Sequence, residues 1–251
     1  NGLTHFLSNG FTVADAGIVN QGYNYVAWNW KESADAGFDI VAYTGNGSNR
    51  TISHNLGAVP KMMIVKERDN ANDWKVYHHS IGNGKSLRLD TTAAEGDDST
   101  AWNSTTPTSS VFSVGTSNAV NRNGGGIIAY LFADVKGYSK VGGSYVGNGN
   151  VSGTYVHLGF KPAWVMTKRS DGESDWYLSD NKRNGFNDDN HVFYANEADA
   201  EKTVNRIDIL SNGFKLRSTG SGVNASGGSY IYMAFAEQPF VTSTGVPATA
   251  R

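Results

Sequence analysis

The sequence contains no cysteine, so neither disulfide bonds nor a thiolate-ligated metal can stabilise the fold. No apolar run approaches the roughly 20 residues that a membrane-spanning helix needs, so we expect no membrane insertion. The formal net charge is −2, and neither sign gathers in a long run. Because a nucleic-acid surface needs clustered Lys and Arg to neutralise phosphates, nucleic acid is not an expected partner.

Sequence signatures of enzymes are also missing. There is no HExxH, no GxSxG and no phosphate-binding lysine loop. The stretch 147–153 (GNGNVSG) misses the spacing of a dinucleotide-binding loop by one residue, and a hairpin turn explains it better, because a phosphate cradle needs a helix behind it. We therefore expect no catalytic residue, no cofactor and no enzymatic activity.

What the sequence does contain is 30 glycines with only five prolines, and 12% aromatic residues. This composition is typical of short strands joined by tight turns. Apolar segments at 62–67, 74–79, 86–90, 111–115 and 126–133 stand between turn signals, and Asn-Gly pairs suit hairpins that need positive φ. The sequence predicts an all-β fold of antiparallel sandwiches, with helical turns only at 92–96 and 196–201.

An internal repeat organises the chain. The segment from Tyr43 to Trp74 recurs from Tyr145 to Trp176, a shift of 102 residues (145 − 43). The residues that recur at this shift are Gly45, Gly47, Leu56, Gly57, Pro60, Lys66 and Trp74. A unit of about 100 residues can close its own core, so we expect tandem β-sandwiches and not a stack of short repeats.

The second half of the unit occurs three times, opened by Phe11, Phe112 and Phe214. Residues 1–37 are accordingly expected to be the C-terminal remnant of a preceding repeat. Repeat 1 then spans 38–139, repeat 2 spans 140–240, and 241–251 is expected to be a polar tail. The join at 136–143 has no Pro-rich or Ser-rich spacer, which predicts that the two repeats touch.

Aromatic side chains beside polar loops are the first candidates for ligand binding. Trp74, Trp102, Trp176 and Tyr77 adjoin loops rich in Asn, Asp and Ser, and sugars stack on aromatic faces. For Trp74 and Trp176, which match in both copies, a role as core anchors is the favoured interpretation and ligand binding is the alternative. Trp102 has Val204 at the shifted position, so we expect it to be the freest of the four to bind a ligand.

A polar segment found only in repeat 2 is the second candidate. Asp180, Asn181, Lys182 and Arg183 stand where repeat 1 has 78–81 (HHSI). Two copies of one scaffold that differ in a loop are a plausible place for divergent binding. A solvated loop is nevertheless the favoured interpretation of this segment.

A calcium site before Trp74 is a weaker alternative. Asp69, Asn72 and Asp73 could offer oxygen ligands of the kind that calcium prefers. Asp and Asn are also the residues that a hairpin needs to turn, and no EF-hand spacing completes a ligand shell. The turn is the favoured interpretation, so we expect no bound metal.

The segments YTGNG, ISHNLGAVPKMMIVK, GFKPAWVMTKR, NASGGSYIYMAFAEQPF and GVPATAR together resemble a module of virion proteins from tailed bacteriophages, especially marine and cyanobacterial ones. The resemblance covers both repeats and extends into the first 37 residues. It implies a jelly-roll or concanavalin-like sandwich in the C-terminal part of a tail fibre or similar appendage. It also implies a place in the virion, other virion proteins as partners, and a homo-oligomer, a trimer by analogy to other fibres.

Together these expectations describe a virion component that binds a bacterial surface polysaccharide without cleaving it. Three alternatives stay open: a purely architectural virion subunit, a polysaccharide depolymerase, and a carbohydrate-binding module of a secreted enzyme. A depolymerase needs two carboxyl groups at catalytic spacing. The carboxylate pairs at 97–98 and 188–189 are adjacent in sequence and give that alternative little support.

Overall fold

The computed structural model describes residues 2–15, 17, 19–183, 187 and 191–238. It confirms the all-β prediction, because the strands are short and antiparallel and each helix is a single turn. The chain divides into two compact units, residues 1–30 and residues 31–251, and the second unit contains both repeats. The expected polar tail at 241–251 lies outside the described residues.

The first unit contains a hairpin of β1 (Leu3–Leu7) and β2 (Gly10–Val13). Phe6 pairs with Phe11 across this hairpin, and Phe6 is 81% exposed. A two-stranded hairpin cannot bury its own apolar face. The unit therefore shows large apolar side chains on its surface, namely Leu3, Phe6, Leu7, Val13, Tyr23 and Tyr25.

Repeat 1 is built on a six-stranded antiparallel sheet in the order β3-β10-β5-β6-β7-β8. Its elements are β3 (Phe38–Thr44), β4 (Arg50–Ser53), β5 (Met62–Glu67), β6 (Lys75–His78), β7 (Lys85–Arg88), β8 (Gly96–Asp97), α1 (Ser99–Trp102), β9 (Val111–Val114), α2 (Asn118–Asn121) and β10 (Gly126–Phe132).

Repeat 2 has a sheet of the same strand order, β11-β19-β13-β14-β15-β16. Its elements are β11 (Ser139–Val146), β12 (Tyr155–His157), β13 (Pro162–Arg169), β14 (Trp176–Asp180), β15 (His191–Tyr194), β16 (Lys202–Thr203), β17 (Ile207–Leu210), β18 (Gly213–Leu216), α3 (Ser221–Asn224) and β19 (Ser229–Ala236). The sequence repeat is thus also a repeat of topology.

In each repeat a smaller sheet packs on the six-stranded sheet. Repeat 1 uses β4 and β9, whose Ile52 and Phe112 share a core with Met63 of the large sheet. Repeat 2 uses β12, β18 and β17, which bring Ile209 and Phe214 into a separate core. Each repeat therefore closes its own two-layer core, as the length of the repeat requires.

A buried asparagine holds the same turn in both repeats. Asn121 Nδ2 donates to Gly115 O and Ser48 O, both at 2.7 Å, and its Oδ1 accepts the Asn46 N–H at 3.0 Å. Asn224 forms the matching bonds with Ser218, Asn150 and Asn148. The side-chain amide thus satisfies backbone groups that the turn would otherwise leave unpaired.

The glycine at the start of this turn is required by close packing. A Cβ at Gly45 would lie 2.1 Å from Arg122 O, and a Cβ at Gly147 would lie 2.3 Å from Ala225 O. Backbone oxygens cannot retreat as a flexible side chain can. This contact accounts for the recurrence of glycine at the shift of 102 residues between these two positions (147 − 45).

The predicted helical turns at 92–96 and 196–201 are wrong, since neither segment is helical. In the first segment the backbone bonds to repeat 2 instead: Ser174 N–H donates to Thr92 O at 2.9 Å, and Glu95 N–H donates to Ser170 O at 2.7 Å. In the second, Asn196 Oδ1 accepts the Trp176 N–H at 2.8 Å. Such distant partners outweigh the weak local preference for a helix.

Candidate functional site

The two repeats meet at a junction between the loop after β7 and the start of β14. Trp176 Nε1 donates to Arg88 O at 2.8 Å, and Lys168 Nζ donates to Thr92 O at 3.0 Å. Both side chains are buried, and burial lowers the pKa of Lys168 to about 8, because the ammonium group loses its hydration. With the backbone bonds at Thr92 and Glu95, these contacts fix one repeat against the other.

A groove of about 330 Å³ opens at this junction. Its polar lining comes from both repeats and consists of Ser80, Glu95, Ser144, Ser170, Asp171 and Ser229. Repeat 1 contributes the first two of these residues, and repeat 2 contributes the rest. The groove thus exists only because the repeats are joined, and its lining offers hydroxyl and carboxylate groups to a polar ligand.

Both carboxylates of the groove are held by cations. Lys85 Nζ lies 2.6 Å from Glu95 Oε1, and Arg169 Nε lies 2.8 Å from Asp171 Oδ1. Burial on its own would raise the pKa of Asp171, but the hydrogen bonds from Arg169 and from the Ser229 N–H lower it below its usual value. Asp171 is therefore an ionised hydrogen-bond acceptor and not a proton donor at neutral pH.

Trp102 does not present its ring to solvent, so the expectation that it is the freest aromatic is wrong. The residue is 0% exposed, its Nε1 donates to Lys85 O at 3.0 Å, and its ring meets Tyr77 edge-on at 5.8 Å. At the shifted position repeat 2 has Val204, which is half-buried and packs against the core of that repeat. Trp102 is unmatched because the two repeats fill their cores differently.

Tyr77 and Trp176 are buried as well, and for Trp176 this is the burial that the core-anchor interpretation requires. Tyr77 lies in the core of repeat 1, and Trp176 closes the junction. Trp74 is the exception, because it is half-buried. The Trp74 N–H of the backbone donates to Asp90 Oδ1, but the indole Nε1 has no hydrogen-bond partner among the described residues.

The polar segment of repeat 2 is largely occupied by its own contacts. Arg183 Nε lies 2.6 Å from Asp180 Oδ2, and Asp180 Oδ1 accepts the backbone N–H groups of Lys182 and Arg183 at 2.9 Å. Burial would raise the pKa of Asp180, but these hydrogen bonds lower it. Asn181 is half-buried, and the Lys182 side chain is 76% exposed, so Lys182 is the member presented to solvent.

The side chains of the weak calcium alternative each have a different partner. Asp69 Oδ2 accepts the Gly126 N–H at 2.7 Å, Asn72 Nδ2 donates to Glu67 Oε2 at 2.9 Å, and Asp73 pairs with Arg88 Nε at 2.7 Å. Across the described ranges, no group of three or more His, Cys, Asp or Glu side chains could hold a metal ion. The loop uses its oxygens to shape the turn.

Sequence reasoning missed the groove. Glu95 and Asp171 are 76 residues apart (171 − 95), and only contact between the repeats brings them to one site. The single sequence signal was the short join, which predicts contact between the repeats but not which residues face each other. Ser144 belongs to no motif, and the segment that contains Ser229 carries a family resemblance but no binding signature.

None of the helices in the described part of the chain is long and apolar enough to cross a membrane. A family model described as a domain of unknown function, DUF7483, matches residues 1–239. No curated protein and no solved structure matches the chain. Because the family model spans nearly all of the 251 residues, the chain belongs to the DUF7483 family.

Proposed function

We propose that this chain is a non-catalytic virion component of a tailed bacteriophage, part of a tail fibre or similar appendage, which binds a bacterial surface glycan in the junction groove. The observation that carries the binding proposal is the groove of about 330 Å³, in which hydroxyl and carboxylate groups converge. Small-ligand sites typically measure about 300–1,000 Å³. The virion setting rests on the resemblance of the repeated segments to phage proteins.

The chemistry of the groove supports a polar, hydroxyl-rich ligand. Ser144, Ser170 and Ser229 can each donate or accept a hydrogen bond, and Glu95 and Asp171 can accept bonds from sugar hydroxyls. A site on a fixed junction is already in its binding shape, so a ligand loses little free energy to reorganisation. Several copies on one appendage would add avidity to a weak single site.

The same chemistry supports binding without cleavage. Glycoside hydrolysis needs a carboxylic acid with a raised pKa to protonate the leaving group. The pKa of Asp171 is lowered, and Glu95 is paired with Lys85 at 2.6 Å. Neither group is suited to the role of general acid.

The experiment is binding of the fluorescently labelled chain to a panel of bacterial cells, with and without their isolated surface polysaccharides as competitors. Saturable binding that the polysaccharide abolishes is expected. Ser144→Trp, which fills the groove, should weaken binding at least about tenfold, equivalent to about 1.4 kcal/mol. Ser53→Trp is the matched control, because Ser53 is an exposed strand residue that does not line the groove.

Two results would count against this proposal. Unchanged binding of Ser144→Trp would remove the groove as the site. Absence of binding across a broad panel, with the chain folded, would remove the glycan-binding role altogether.

A purely architectural role is the second candidate. The observation that favours it is the burial of the two aromatic residues that line the groove, Tyr145 and Tyr230, which leaves little aromatic surface for a sugar to stack on. An architectural subunit needs no affinity for sugar. The cell-binding experiment therefore separates the two candidates.

A further inference from the structure

Each repeat has the two surfaces that form the junction, but in each repeat only one of them is covered by the other repeat. In the loop after β7 the shift between repeats is 106 residues (194 − 88), because Lys75 pairs with Arg88 and its counterpart Tyr177 pairs with Tyr194. The side-chain contacts follow the same shift: Lys85 Nζ with Glu95 Oε1 corresponds to His191 Nδ1 with Glu201 Oε2. These pairs establish which positions of the two repeats are equivalent in this loop.

The junction surface of repeat 2, formed by Lys168, Ser170, Ser174 and Trp176, is called here the back face. Lys168, Ser170 and Trp176 are buried against repeat 1. Repeat 1 has the same face at Lys66, Arg68, Asn72 and Trp74, and there Arg68 is exposed and the other three are half-buried. The back face is thus buried in repeat 2, where it forms the junction, but its equivalent in repeat 1 is at least partly exposed.

The complementary surface of repeat 1, formed by Arg88, Thr92 and Glu95, is called here the front face. Arg88 O and Thr92 O accept the bonds from Trp176 and Lys168. Repeat 2 has the same face at Tyr194, Ala198 and Glu201. Residues 197–201 are exposed there, so the front face of repeat 2 is uncovered.

We propose that a second copy of this chain docks head to tail, the back face of repeat 1 in one copy binding the front face of repeat 2 in the next. The template for this contact is the junction between the repeats within the chain. Trp74 Nε1 then donates to Tyr194 O, as Trp176 does to Arg88 O. Lys66 Nζ already donates to Asn70 O and Asn72 O, and its third proton is donated to Ala198 O. This inference stands apart from the glycan proposal.

Charge favours the contact between copies. Repeat 1 has Arg68 on its back face where repeat 2 has Ser170. The front-face loop of repeat 2 carries Glu197 and Asp199, where the loop of repeat 1 has Thr91 and Ala93. Both carboxylates pair with Lys202, at 3.4 Å and 2.9 Å. With Lys202 counted, these three side chains leave the loop one negative charge in excess (2 − 1), which favours an approach of Arg68 from the next copy, and added salt should weaken the contact.

The contact joins two different surfaces, so it is heterologous. Such contacts close into rings when the rotation permits and otherwise extend into filaments. A ring of three copies would be the trimer that the resemblance to fibre proteins implies. Within the chain the same contact is helped by the short covalent join, whereas between copies it depends on concentration.

Two single-face variants test the proposal. Trp74→Ala removes the indole of the back face, and Ala198→Trp blocks the front face; both positions are at least partly exposed, so the fold should survive. In sedimentation velocity at concentrations up to about 1 mM, where weak contacts are populated, the wild type should associate and each variant should be monomeric. An equimolar mixture of the variants should form a 1:1 dimer, because each supplies the face that the other lacks.

The controls separate docking from loss of fold. Tyr155→Ala changes an exposed aromatic residue outside both faces and should associate like the wild type. Arg68→Glu, a second exposed back-face variant, should also be monomeric. A monomeric wild type at all concentrations, variants that associate unchanged, or a mixture that fails to form the dimer would each overturn the proposal.

Discussion

Trp74 and Trp176 hold the same place in the two repeats, but only the indole of Trp176 is covered, and its Nε1 donates to Arg88 O at 2.8 Å. One side chain thus has two environments within a single molecule. Comparing substitutions of the two tryptophans therefore shows how much the contact between repeats contributes to the free energy of unfolding.

Trp176→Ala should lower the free energy of unfolding by about 3–5 kcal/mol, because it leaves a cavity at the junction and removes a hydrogen bond. Trp74→Ala, at the half-exposed equivalent, should lower it by about 1 kcal/mol. Urea unfolding at low protein concentration, where copies stay apart, gives both values. Equal losses for the two variants would contradict the unequal burial of the two indoles.

Trp102→Ala should also cost about 3–5 kcal/mol, since the indole is fully buried and its Nε1 donates to Lys85 O. Trp102→Phe should cost less, because the ring is retained and mainly the hydrogen bond is lost. Thermal unfolding followed by circular dichroism is the measurement. Unchanged stability of Trp102→Ala together with lost cell binding would restore Trp102 as a ligand-binding residue.

Asn121→Ala should destabilise repeat 1 by about 3 kcal/mol, because Ser48 O, Gly115 O and the Asn46 N–H lose their partner in a buried site. Hydrogen exchange should accelerate at the amides of residues 46–48, which the turn protects. Asn123→Ala is the control, since Asn123 is exposed. A loss as small as that of the control would mean that water replaces the amide without penalty.

Acid should lower the free energy of unfolding over a pH range that the two pKa values of His78, unfolded and folded, determine. Burial lowers the pKa of His78 from 6.5 to about 4, with the Val141 and Tyr232 carbonyls opposing the shift. Between these values the unfolded chain binds a proton that the folded chain does not. The free energy of unfolding should therefore fall by about 3 kcal/mol as the pH falls from 6.5 to 4.

His78→Met should flatten this part of the pH profile, measured by urea unfolding at successive pH values. Asp98 acts in a different range. Burial would raise its pKa, but bonds from Lys75 and Ser86 lower it below 3.8, so its contribution is lost only at more acidic pH. A slope between pH 6.5 and 4 that is the same in wild type and variant would exclude His78 as its source.

The strands were largely predictable because their signal is local. The segment at 62–67 becomes β5, and the segment at 126–133 becomes β10, since short apolar runs bounded by turns are typical of strands. The failures were the helical turns at 92–96 and 196–201. Their backbone and side-chain groups bond to partners distant in sequence, which no local pattern encodes.

The candidate site was less predictable than the fold. Trp102, Tyr77 and Trp176 were candidates because they lie beside polar loops in the sequence. All three are buried, because a residue's neighbours in sequence do not determine its burial. The polar segment at 180–183 is likewise occupied by the ion pair of Asp180 with Arg183. The groove lining was absent from the candidates because its residues come from different repeats.

The sequence by itself determined the all-β class, the period of 102 residues and the turns that need glycine, because strand patterning and backbone sterics act over short stretches of chain. Only the tertiary structure decided which tryptophan is covered, where a groove opens and which contact surface stays free. Burial and hydrogen bonding across the junction depend on groups that lie far apart in the chain, and these come together only when the repeats dock.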